Sequence, residues 1–176
     1  MSSPEFPFQR QPLHDSRLQD RLLRRPRQDN AVIELRNRFA DGLERVAPGD
    51  VQKIEASYRV DFSRDFHEER SQMLEAYLVY CYADGTFDEQ ERQRANHLQV
   101  LLRLDSGTAT AIHQQVKEGV YRDTVKEHVE DRRLTPEEVD DLGALQVHLQ
   151  LSDSVVRAIG QEEADGVVRS LSQSSS

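Results

Sequence analysis

The sequence predicts an all-α protein, a compact bundle of five to seven helices built from two, and on a fainter match three, helix–turn–helix repeats. Three observations carry this. Breakers are scarce, with 8 Gly and 6 Pro in 176 residues, while Leu, Glu, Gln and Arg, all good helix formers, abound. Apolar residues recur three and four apart, the spacing of one helix face. No stretch alternates apolar and polar as a half-buried strand does.

Residues 1–30 read as a flexible arm. They hold six Arg against four acids and four of the chain's six prolines. Such composition gives an extended or loosely helical segment outside the core, with a short helix over Ser16–Arg25 stopped by Pro26. It reads either as a disordered tail or as a tether that docks on a partner. The helical bundle follows over 31–171, and 172–176 form a Ser-rich tail.

Within the bundle, Asp29 or Asn30 caps a first helix to about Ala47. Its stripe is Val32, Leu35, Phe39, Leu43 and Val46. Pro48-Gly49 opens a second helix, carrying Val51, Ile54 and Tyr58 to about Phe62. Ser63 is placed to cap the third, to about Ala83. The run Met73–Tyr82 is apolar almost all round, which marks a central helix with Cys81 as a small buried hydrophobe. Asp88…Glu91 and Thr135…Glu138 both fit a capping box, and Pro136 follows Thr135 at the first helical position. Helices are expected over about 89–104, 106–130, 136–151 and 153–171.

Residues 84–112 and 131–159 align without a gap, 47 positions apart, with nine identities in 29 positions. Leu98-Gln99-Val100-Leu101-Leu102-Arg103-Leu104 faces Leu145-Gln146-Val147-His148-Leu149-Gln150-Leu151. A fainter third copy starts at Pro48, matched to Pro136, and pairs Val60, Phe62 and Ser63 with Leu149, Leu151 and Ser152 after one deletion. One such hairpin cannot cover its own apolar stripe, so the copies must pack.

The turn Ala83-Asp84-Gly85-Thr86-Phe87-Asp88-Glu89-Gln90-Glu91, followed by Leu98, Leu102 and Leu104, resembles the TerB-like family. The second copy, Glu130 to Ser152, resembles it with Arg132 in place of the glycine. The resemblance covers roughly residues 63–160. It implies an α-helical bundle with an acidic face that binds metal ions or partner proteins. The family is known from tellurite-resistance proteins and from fusions to co-chaperone modules. Similar repeats in a chloroplast import translocon keep the implied function broad.

The same turn matches the second half of an EF-hand loop. Asp84, Asp88 and Glu91 fall at liganding positions 5, 9 and 12, but Tyr80 and Tyr82 stand where two carboxylates belong. Two readings follow. Asp84, Asp88 and Glu91 form a weak, partner-completed site for calcium or another divalent cation. Alternatively Asp84 bonds the backbone, Gly85 takes positive φ and Asp88 caps the helix.

Other site chemistry is sparse. The six histidines never fall three or four apart, and none follows a Glu by three, so helical zinc pairs and di-iron motifs are missing. There is no phosphate loop, dinucleotide fingerprint or nucleophile elbow. One cysteine excludes an intrachain disulfide and a Cys-built zinc site. A formal net charge of −9 sets aside nucleic acid and anionic membranes as partners of the body. No apolar run approaches the ~18 residues of a membrane helix. The expectation is a cytoplasmic, non-enzymatic scaffold that binds protein partners through an acidic helical surface and its arm. The alternative is an ion-binding protein of metal or tellurite stress, with the Asp84–Glu91 turn as sensor. An enzyme would instead need a concave pocket of titratable groups with shifted pKa values.

Overall fold

Helix α1 (Asn30–Ala40) buries Asn30, Ala31, Val32, Leu35 and Phe39, the apolar ones being the stripe that the spacing predicts. This is the first of seven α-helices in a computed structural model that describes residues 6–15, 26–83, 87–129 and 135–173. Strands are absent among the described residues, as expected of an all-α chain. The expected Ser16–Arg25 helix, Asp84 and Gly85 of the acidic turn, its counterpart Asp131-Arg132 and the last three serines lie outside the described residues.

The first helix stops seven residues before its expected end at Ala47. Gly42 takes φ 136, open to glycine alone at little cost, and a single 3-10 turn (Leu43–Arg45) follows. Leu43 and Val46 remain buried, so the apolar positions keep their role although the helix does not continue.

Helix α2 (Pro48–Tyr58) begins with Pro48 and with the Asp50 carboxylate accepting from the Ala47 N–H at 3.1 Å. It ends at Arg59, in the left-handed region at φ 55. Asp61 then closes a turn, accepting from the Ser63 N–H and hydroxyl at 2.9 and 2.6 Å. Ser63 is therefore bound backward rather than capping, and helix α3 (His67–Tyr82) starts three residues later than expected. α3 is the central helix that its composition predicts, burying Met73, Leu74, Tyr77, Leu78 and Cys81. Cys81 is 1% exposed.

Arg70 of α3 is also 1% exposed, which no surface arginine resembles. Its Nε donates to the carbonyls of Asp65 and Phe66 at 2.9 and 3.2 Å. Its Nη1 donates to those of Leu102 and Arg103 at 2.7 and 3.2 Å. A cation thus sits on the carbonyl end of the next helix, where the backbone dipole is negative. Burial pushes its pKa down, against the attraction of Asp65 and Asp61, but a guanidinium stays charged.

Helices α4 (Glu89–Leu101), α5 (Ser106–Val129), α6 (Pro136–Leu149) and α7 (Asp153–Gln173) complete the chain. The described residues gather into two compact units. One comprises the residues up to Cys81 together with Phe87–Ile112. The other comprises Tyr82 and the residues from His113 onward.

The repeat is present atom for atom at its closing turn. Arg103 and Gln150 both take left-handed backbone, at φ 52 and 55. The Leu104 N–H bonds the Gln99 carbonyl at 3.2 Å, and Leu151 bonds Gln146 at 3.1 Å. The amides of Gln99 and Gln146 donate back to the carbonyls of Leu104 and Leu151 at 3.4 and 3.3 Å. Ala95, Leu102, Leu104 and Ile112 are buried, and so, each within its own copy, are their counterparts Leu142, Leu149, Leu151 and Ile159. The third copy shares this closure, since the Val60 N–H bonds the Glu55 carbonyl at 3.1 Å after left-handed Arg59. Its register differs from the sequence match. Pro48 and Pro136 both open helices, yet Arg59 corresponds to Gln150, because α2 has 11 residues where α6 has 14. Three residues, close to one turn, are missing inside the helix rather than one. In the first unit this copy is joined to the α4 copy through Arg103–Glu55 at 3.0 Å, and the 3-10 turn before it is joined through Arg94–Glu44 at 2.9 Å.

Candidate functional site

Of the three predicted cation ligands, Asp88 and Glu91 are described. Asp88 precedes α4, and its carboxylate accepts from the Glu91 N–H at 2.8 Å. Glu91 reaches back to accept from the Asp88 N–H at 2.9 Å. Each carboxylate therefore gives one oxygen to the helix start, where donors lack partners inside the helix. Thr135 and Glu138 repeat the arrangement, with Glu138 accepting from the Thr135 N–H at 2.7 Å. That bond holds the Glu138 carboxyl below the usual range. Among the described residues no group of three His, Cys, Asp or Glu side chains could hold a metal ion. Capping accounts for both described carboxylates without an ion.

Asp88→Ala is accordingly expected to cost about 1 kcal/mol, a melting shift of roughly 2–4 °C for a chain of this size. The shift should be the same in calcium and in EDTA. Chelation that alone lowers the wild-type melting point by as much would assign the turn to an ion.

A second arrangement was not visible in the sequence. Residues 6–15 of the arm run along α1 in the opposite direction. Phe8 is 3% exposed, so the arm contributes to the core from which its composition appeared to exclude it. Its ring stacks on Tyr77 at 6.4 Å and lies against Phe39 at 5.3 Å. Phe6 meets Phe8 and Tyr80 edge-on. Arg10 forks onto both oxygens of Asp41 at 2.7 Å and holds that carboxyl below its usual pKa.

Two asparagines of α1 take hold of the arm's main chain. The Gln11 N–H donates to Asn37 Oδ1 at 2.7 Å, and Asn37 Nδ2 donates to the Gln11 carbonyl at 2.8 Å. The His14 N–H donates to Asn30 Oδ1 at 2.7 Å, and Asn30 Nδ2 donates to the His14 carbonyl at 2.9 Å. The spacing explains the fit. Seven helical residues rise about 10.5 Å, and three extended residues span about 10 Å.

Beside the arm lies an open groove of about 400 Å³, lined by Gln11, His14, Arg36, Phe66 and Glu69 among others. The His14 ring nitrogen sits 3.1 Å from Asp29, whose pKa is lowered chiefly by its bond to Arg27. The groove brings together no nucleophile with a base and its orienting group. The signals that could have found the arm's seat were the alternating Phe6 and Phe8, and the two asparagines spaced seven apart in a helix that they do not favour.

In comparisons with known proteins, no family model matches the chain, and no curated protein or solved structure matches it either. No helix among the described residues is long and apolar enough to cross a membrane.

Proposed function

We propose that the chain is a non-enzymatic, TerB-like interaction module that recruits or scaffolds other proteins in the cytoplasm. The observation that carries this is a pair of valines. Val100 is 61% exposed and Val147 is 77% exposed, and they occupy the same position of the two main copies. Their neighbours Leu102 and Leu149 are fully buried, so each repeat holds one branched apolar side chain away from its core. Core packing has no use for a valine there. On α6 it is accompanied by exposed Val139 and by exposed Glu137, Asp140 and Asp141, an apolar strip edged with acid. Such a surface suits a partner with a complementary basic rim. The chain's one cysteine, Cys81, is buried, which agrees with a reducing compartment.

The test is co-purification from the native host with wild-type chain, V100E, V147E and the double variant. Loss of a wild-type partner in the variants, with melting unchanged, is the expected result. Recovery of free monomer alone from the wild type would reject the reading.

A further inference from the structure

We infer that the seat of the arm on α1 and α3 is a docking groove for an extended peptide, held closed by the chain's own residues 6–15 until a partner segment displaces them. The inference deepens the interaction reading above by adding a second surface with its own ligand chemistry. It rests on how the arm is held. Asn30 and Asn37 each satisfy both the N–H and the carbonyl of one arm residue, as a neighbouring strand would. Those four bonds go to main chain, and an extended segment with three residues per turn offers them at every third residue.

Side-chain recognition falls at three places, one of them the His14 ring nitrogen 3.1 Å from Asp29. The aromatic pocket of Phe39, Tyr77 and Tyr80 takes Phe6 and Phe8. Asp41 takes Arg10 through two bonds. The groove therefore selects a partner segment of the form aromatic-x-aromatic-x-Arg in extended conformation. Its acidic end at Asp41 disfavours a carboxylate at the arginine position.

The arm is a suitable self-occupant because Arg27 Nη1 donates to the Asp15 carbonyl at 3.2 Å, which keeps its far end beside the start of α1. A tethered segment competes at an effective concentration on the order of millimolar. A free peptide then binds with its affinity reduced by the fraction of chains whose groove is open. Weakening the arm without touching the groove should raise the apparent affinity for a free peptide.

Two variants do this in the full chain. F8A removes the buried ring from the aromatic pocket and leaves Phe6 beside Tyr80. Q11P removes the N–H that Asn37 accepts and leaves every groove residue in place, so it serves if F8A fails to fold. The probe is a fluorescein-labelled decapeptide of sequence FPFQRQPLHD, with a scrambled decapeptide as control, read by fluorescence anisotropy. We expect the decapeptide to bind F8A or Q11P at least tenfold more tightly than wild type. Adding N37A should weaken that binding by about tenfold, and the scrambled peptide should not bind. Absence of binding to a folded F8A or Q11P chain overturns the inference, as does equal binding to the wild type. Wild-type oligomers that the peptide disperses would identify a second copy as the occupant and overturn the partner reading too. Each failure leaves the valine test of the interaction module standing, because V100E and V147E lie outside this groove.

Discussion

Arg70→Ala is expected to destabilise the first unit by about 3 kcal/mol or more. The substitution takes a donor from the carbonyls of Asp65, Phe66, Leu102 and Arg103; the Leu102 bond is buried and the other three are part-buried, and Phe66 keeps the N–H of residue 70 at 3.0 Å. A buried acceptor left unpaired costs about 1–3 kcal/mol, and the cavity adds to the loss. At roughly 2–4 °C per kcal/mol, the melting point should fall by about 6–12 °C. Arg70→Lys should rescue little, because an ammonium on a single stem cannot bond both helix ends at once. Arg70→Met should fall between, filling the space and removing the buried charge while leaving the Leu102 carbonyl without its buried donor. Thermal unfolding followed by circular dichroism measures all three. A melting point within about 1 °C of wild type for R70A would refute the role assigned to this side chain.

Leu102→Ala and Leu149→Ala probe the repeat itself. Both leucines are fully buried at the same position of their copies, one in each unit. Truncating a leucine of this kind costs about 2–5 kcal/mol. Hydrogen exchange read by mass spectrometry should separate them. L102A is expected to lose amide protection in α2, α3 and α4, and L149A in α6 and α7. Identical loss across the whole chain from either variant would show that the units open together as one block.

The parts of this fold legible in the sequence are those whose causes lie within one or two turns of chain. Asp88 with Glu91, and Thr135 with Glu138, announce helix starts because donor and acceptor are three residues apart. The repeat could be read from Leu98–Leu104 against Leu145–Leu151 because the closing turn is local as well. The misplaced boundaries share a cause of another kind. Gly42 ends α1 through a backbone angle that composition does not announce, and Asp61 captures Ser63 before it can cap. The burial of Arg70 is not legible in the sequence because its carbonyls at Leu102 and Arg103 are more than 30 residues away. The candidate sites divide in the same way. Asp88 and Glu91 were found, and their described geometry is that of a cap. The arm's seat was missed because Asn30 and Asn37 acquire meaning only once Gln11 and His14 lie beside them.

Arg59, Arg103 and Gln150 close three helices in a conformation that an L-residue enters at a cost of about 1–2 kcal/mol. Glycine would enter it freely, but would surrender roughly 0.5–1 kcal/mol in chain entropy on folding. The balance favours glycine by at most about 1.5 kcal/mol. Gln150 is therefore a corner where evolution can exchange residues at modest cost, whereas Arg103 is held to its identity by the tie to Glu55.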